Sequence, residues 1–480
     1  MGNTLSYDVQ EHVIDLGPRG KIKGLQYDNK ARRYTGVPYA LPPTSDHRWR
    51  KPRPLPSSFT YSQAGQPFNA TAFQAPASQE DRELSTGRVN PDNDGIKGTE
   101  DCLYVNIWTP VSEDAGTTTK WPVMVWLHGG WFQVGDACQD PSSDPTELIS
   151  TGGLNAIVVA ISYRLNIFGF LSSAAFLEEG GGEVAGNFGL WDQRLGLEWV
   201  YENIAAFGGD VNNITLAGRS AGAYGVEAQI LHDFRSQQNS YAGKLFQRAW
   251  MSSNAIPAQP KTVNEAESQF DEVCQHFSVP LSASSTERLS QLRKISEADL
   301  LKCIRSLKNH TFRPVTDDIF FHADMTNYIQ SESFAKDFLS RKMKLLIGEV
   351  ANEETLYAQF NGPTEATLES LKLQTANYYS PATTAKILSQ YSLPKSSNLD
   401  DWKAAFGKII ADGQLPTDEE RKMMDEWIKI LVAFVGGNDG FDYGTKSIDE
   451  LKVLTAKREI KVEKDLRYHQ LRDLGAIFSQ

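Results

Sequence analysis

Cysteine and histidine are both scarce in this chain, and what is missing narrows the chemistry before any motif is read. Four cysteines and eight histidines serve 480 residues. Cys102, Cys138, Cys274 and Cys303 are scattered without metal-ligand spacing, so a metal cluster or a disulfide framework is not expected and a reducing, cytoplasmic compartment is. No metal and no organic cofactor is implied. No apolar run reaches the roughly 18 residues that span a bilayer, and the first residues lack the basic and apolar regions of a signal peptide. Gly2-Asn-Thr-Leu-Ser6 fits a loose acylation pattern, but no polybasic stretch follows that would let one acyl chain hold a membrane. There is no excess of positive charge either. The 48 basic and 60 acidic side chains leave a net charge of −12, which repels nucleic-acid phosphates and anionic lipid surfaces. No Pro/Gly/Ser linker and no repeat divides residues 1–480, so a single domain is expected.

What is present is a corner. Phe207-Gly-Gly-Asp-Val-Asn-Asn-Ile-Thr-Leu-Ala-Gly-Arg-Ser-Ala-Gly222 reads as a strand, Ile214–Ala217, running through Gly218-Arg-Ser220-Ala-Gly222 into a helix with apolar residues at helical spacing. A serine on so sharp a turn has strained backbone angles, and the small neighbours Gly218, Ala221 and Gly222 leave room for it. Its hydroxyl would stand at the amino end of the helix, where free N–H groups favour developing negative charge.

Three further segments supply context. Trp121–Leu127 is an apolar strand ending in His128-Gly129-Gly130-Trp131, a glycine-freed loop suited to oxyanion donors. Ala156–Ser162 is a second buried strand. Gly186-Asn-Phe-Gly-Leu-Trp-Asp-Gln193 then leads into a helix over Leu195–Ile204 that delivers the chain to the elbow strand. The alternation predicts an α/β fold: an open, mostly parallel twisted sheet flanked by helices, with active-site loops at the carboxyl ends of its strands.

With Tyr34-Thr-Gly-Val-Pro-Tyr-Ala40, Glu100-Asp-Cys-Leu-Tyr-Val-Asn-Ile107, the His128–Gly130 loop, Gly186–Gln193 and the elbow in this order, the chain resembles the type-B carboxylesterases. These include lipases and cholinesterases of the α/β-hydrolase fold. The resemblance spans most of residues 20–255 and thins beyond. It implies a carboxylic ester hydrolase working through a serine acyl-enzyme, acting on a small-molecule ester. Ser220 takes the nucleophile's place, and the N–H groups of Gly130, Trp131 and Ala221 take those of the oxyanion hole. Trp131 stands where the family commonly has glycine; its indole either narrows the acyl pocket or packs away from it. Arg219 stands where glutamate is common, either favouring anionic substrates or pairing with a nearby carboxylate. Cys102 lies where secreted members form a disulfide to an upstream cysteine, and no cysteine precedes it. Trp131, Trp191 and Tyr224 suggest an aromatic-lined pocket, beneath helices of residues 263–345 and 360–412 that resemble the family's cap over the active-site gorge.

The rest of the triad divides unevenly. After the strand Lys344–Gly348, Glu353 takes the place of the orienting acid, although it or Glu354 could instead cap a helix starting near Thr355. The base must be an imidazole. Seven histidines precede Glu353 and only His469 follows it. The amphipathic helix opened by Thr417-Asp-Glu-Glu420 resembles one that in the family comes after the catalytic histidine, and no histidine lies between Glu354 and Pro416. A segment carrying the base is therefore expected to be missing near residues 414–415, through deletion or a faulty gene model. His469 is either a substitute base or an ordinary polar residue. The alternative to an active esterase is an impaired cholinesterase-like protein that serves as a binder or scaffold.

Overall fold

The computed structural model describes residues 7–28, 30–75, 77–78, 98–111, 120–137, 144–236, 239–253, 260–348, 362–389, 391–410, 430–438, 440–441, 450–454 and 460–464. Gly2, Cys138, Glu353, the junction at 414–415 and His469 lie outside them.

Apolar strands buried on both faces form the middle of the main sheet. Its strands in chain order are β1 (Val9–Asp15), β2 (Lys21–Tyr27), β3 (Ala31–Pro38), β4 (Tyr104–Pro110), β5 (Trp121–Leu127), β6 (Ile157–Ile161), β7 (Gly209–Arg219), β8 (Arg248–Ser252) and β9 (Lys344–Gly348). They lie side by side as β1-β2-β3-β4-β6-β5-β7-β8-β9, with the short strand Phe68–Asn69 beside β2. From β6 to β9 every pairing is parallel, whereas the β1 to β4 ribbon and its join to β6 are antiparallel. Along β5 and β6, Val123, Val125, Leu127, Ile157, Val159 and Ile161 enter the larger core on one face. Met124, Val158 and Ala160 enter a second core on the other. The central strands are thus covered on both sides, which is why they read as continuous apolar runs. This is the α/β-hydrolase arrangement.

Helix α1 (Phe188–Asn203) begins seven residues before the expected Leu195. Gly189 and Gly196 are weak helix formers but packing positions here: a Cβ would fall 2.5 Å from the Arg164 carbonyl oxygen at the first and 2.9 Å from the Ile161 side chain at the second. Helix α2 (Ala221–Arg235) follows the elbow. The expected helices at Glu287 and Glu297 form as Ser285–Arg293 and Glu297–Ile304, each opened by a serine that accepts an N–H from its first turn. Leu368–Ala376, Pro381–Leu388 and Leu399–Ile410 complete the helical cap. Of the amphipathic helix expected from Thr417, the described part carries Ile430, Phe434 and Val435 buried, with Val435 in the second core.

Candidate active site

The corner is as sharp as its residues require. Ser220 has φ 55° and ψ −124°, a conformation L-residues avoid, while its N–H donates to Ser252 O at 2.8 Å and its carbonyl accepts the Tyr224 N–H at 3.0 Å. Two glycines make the turn possible. A Cβ on Gly218 would lie 2.4 Å from the Gly222 carbonyl carbon, and one on Gly222 would lie 2.0 Å from Leu127 O. Ala221 opens α2, so its N–H has no acceptor within the helix.

The glycine loop lies directly against this corner. A Cβ on Gly129 would stand 2.7 Å from Arg219 O and 3.1 Å from Ser220 Cβ. Gly130, Trp131 and Phe132 then have φ of 113°, 57° and 65°, three left-handed residues in succession that turn the backbone N–H groups of the loop. Such residues persist only where surroundings hold them. Here the N–H groups of Gln133 and Val134 return to Gly130 O at 2.8 and 3.0 Å, and Asn166 N–H donates to Phe132 O at 2.6 Å. Beneath the loop the Tyr163 ring stacks on His128 at 4.4 Å and its hydroxyl donates to His128 O at 2.7 Å. Arg164 follows and is gripped by Asp192 through its N–H, Nε and Nη2 at 3.0, 2.8 and 2.7 Å, both side chains being fully buried. Nothing in the sequence marked that pair.

Gln133 was equally silent. Its Nε2 donates to Trp131 O at 2.9 Å and Phe312 O at 2.6 Å, and its Oε1 accepts the Phe312 N–H at 3.1 Å. One amide thereby ties the glycine loop to a segment 179 residues away. Trp131 leans into the cap, against the cluster of Leu371, Ile387, Leu388, Trp402 and Phe406. Tyr224 is buried under the loop, edge-on to Phe132 at 5.4 Å. Trp191 does not join them. It packs against His232 and Phe320, each at 5.0 Å, and His232 lies twelve residues beyond Ser220 on α2, about 18 Å along a helix.

Four of the described histidines have partners other than Ser220. His12 meets Tyr34 Oη at 2.6 Å, His128 Nδ1 meets Gly129 O at 2.9 Å, His232 Nδ1 meets Phe320 O at 3.2 Å and His276 meets Ser306 Oγ at 3.0 Å. Burial, then the Arg194 charge, pushes the His232 imidazole down to about 4, so it stays neutral. Among the described residues no imidazole bonds Ser220 Oγ. Arg219 is exposed and makes no ion pair with a carboxylate among the described residues, so the second of its two expected roles, pairing with a nearby carboxylate, is not seen there. Cys102, Cys274 and Cys303 are buried free thiols. Among the described residues no group of three His, Cys, Asp or Glu side chains is placed to hold a metal ion, and no helix is long and apolar enough to cross a membrane.

Comparison with known proteins gives this geometry relatives. The sequence profile of the Carboxylesterase family matches residues 10–403. The chain is 38% identical over 394 residues to an uncharacterized esterase/lipase of Schizosaccharomyces pombe, covering 80% of this chain and 70% of that protein. It is 35% identical over 426 residues to a carboxylic ester hydrolase of Gibberella moniliformis, covering 85% and 74%. A solved thermophilic pNB esterase superposes with a TM-score of 0.70 at 23% sequence identity, covering 97% of this chain and 100% of that one.

Proposed function

Because this chain belongs to the carboxylesterase family and is a carboxylic ester hydrolase of the serine class, we propose that Ser220 is its nucleophile. The observation that carries this is the strained Ser220 backbone, set at the start of α2 with Gly129 packed against its Cβ. Ser220 Oγ attacks the ester carbonyl, and the N–H groups of Gly130, Trp131 and Ala221 receive the charge on the carbonyl oxygen. The alcohol leaves, and water releases the acid from the acyl-serine. Glu353 orients the base; the segment that carries the family's histidine is missing near residues 414–415, and His469, the one histidine after Glu353, is either a substitute base or an ordinary polar residue. No metal or organic cofactor enters this scheme.

The whole chain is read as one domain, supported by a buried cluster running from Leu16 through the cap residue Phe312 to Met343. Its sheet ends, among the described residues, at β9, where Leu345 and Ile347 are 38% and 60% exposed although parallel strands are ordinarily covered on both faces. That is the surface a missing strand and histidine segment near 414–415 would leave. The free, buried Cys102 supports a cytoplasmic setting.

A second reading has one observation in its favour: no described imidazole reaches Ser220. On that reading turnover is lost and the fold serves as a binding scaffold. Fluorophosphonate labelling of purified protein separates the two. Ser220 is expected to be labelled and Ser220→Ala not; a folded protein that resists labelling ends the esterase reading. Turnover of p-nitrophenyl acetate and butyrate by His469→Ala then assigns the base, and unchanged turnover removes His469 from the mechanism.

A further inference from the structure

Several buried or partly buried arginines among the described residues are neutralised. Arg48, Arg164, Arg194 and Arg293 each pair with a carboxylate among their neighbours. Arg313, which is partly buried, is different. Its guanidinium carbon lies 5.1 Å from the Tyr378 ring, 5.6 Å from Tyr224 and 6.0 Å from Phe132, yet among the described residues it has no ion pair and no hydrogen-bond acceptor. The rings that hold it are those of the candidate site: Tyr224 sits one turn past Ser220 on α2, and Phe132 directly follows Trp131. Its position is not accidental, because the Gln133 amide bonds both backbone groups of the adjacent Phe312.

A second cation lies on the segment bonded beside it: the Lys261 carbonyl accepts the Thr316 N–H at 2.8 Å, three residues after Arg313. Lys261 is partly buried and also lacks an ion pair among the described residues. Burial first, and the Arg313 charge second, pushes its ammonium down to about 8. Glu265 acts in the opposite direction without forming a pair with it. Two cations that repel one another, Arg313 with aromatic faces in place of a counter-ion and Lys261 with no ion pair among the described residues, are most stable when an anion joins them. The planar fork of an arginine fits a carboxylate through two parallel bonds.

We infer that Arg313, with Lys261 beside it, forms a carboxylate-binding subsite next to Ser220, and that the preferred esters carry a second, free carboxylate on a short acyl chain. This rests on the reading of Ser220 as the nucleophile. The aromatic rings flank the chain of such an ester while the fork holds its far end.

Calorimetric titration of the full-length Ser220→Ala chain, which cannot form the acyl-enzyme, with monomethyl glutarate, an anion, and with uncharged dimethyl glutarate tests the subsite without requiring turnover. The anion is expected to bind more tightly, and Arg313→Gln to weaken it at least about tenfold, the usual worth of a charge-assisted bond. Arg313→Lys retains part of the affinity, since charge survives and the fork does not. Lys261→Gln, on a different segment, weakens the same ligand, so a misfolded Arg313 variant does not decide the matter. In turnover, the kcat/KM ratio of 4-nitrophenyl hydrogen glutarate to 4-nitrophenyl valerate falls in parallel. Equal affinity for the two glutarates, or an anion affinity indifferent to both substitutions, overturns the subsite. Fluorophosphonate labelling of the chain that retains Ser220 reads the nucleophile separately. Labelled Ser220 without anion preference removes the subsite alone, whereas Arg313-dependent binding with Ser220 unlabelled supports the subsite and removes the esterase reading.

Discussion

Replacing Asp192 by asparagine tests whether the loop below the candidate oxyanion hole is held electrostatically. Asp192 is 0% exposed and accepts three bonds from Arg164, which is 2% exposed. Asparagine fills the same space but brings no charge, and it can turn only one acceptor toward the guanidinium. The result is a buried arginine without a counter-ion. Breaking such a pair from one side costs about 3–5 kcal/mol, a large part of the roughly 5–15 kcal/mol that holds a typical fold. Denaturant titration followed by tryptophan fluorescence should show that loss. Replacing both partners, Arg164→Met with Asp192→Leu, removes the stranded charge and should restore most of the difference. The damage should also travel: Tyr163 adjoins Arg164 and carries His128 through stacking and a 2.7 Å hydrogen bond, so Ser220 labelling should slow in Asp192→Asn. A loss below about 1 kcal/mol, or a double variant worse than the single one, would refute the reasoning.

Gly222→Ala would place a Cβ 2.0 Å from Leu127 O and 2.9 Å from His128 O, forcing the end of β5 away from α2. A shift of about 1 Å there carries the Gly129–Trp131 backbone with it, and fluorophosphonate labelling of Ser220 should slow by about 100-fold; an unchanged rate would show that the loop does not depend on this contact. His232 sets a pH dependence. Its folded value of about 4 lies below the ordinary 6.5, so the unfolded chain takes up that proton first as pH falls. The stability it contributes is complete above about pH 6.5 and is lost as pH falls toward 4, by about 3 kcal/mol in all. Unfolding free energies measured across that window should fall less steeply for His232→Gln than for the parent, and parallel curves would exclude His232 as the cause.

The sequence by itself determined the parts whose constraints are local. Gly218 and Gly222 flank Ser220 because a Cβ at either position would strike backbone, and that restriction is readable within five residues. The central strands were legible because both faces are buried, so Trp121–Leu127 and Ala156–Ser162 read as apolar runs. The start of α1 was not, since Gly189 weakens a helix locally and only its contact with Arg164 and Phe170 explains why it is there. Tertiary structure alone decided which aromatic residues share a pocket. Tyr224 and Phe132 meet, while Trp191, three residues after Phe188 in a stretch that looked equally suited, faces His232 and Phe320. It alone brought Gln133 to Phe312 and Arg313 to Tyr224, because pairings between residues so distant along a chain leave no periodicity or spacing to read. They exist only once the sheet has set the two segments side by side.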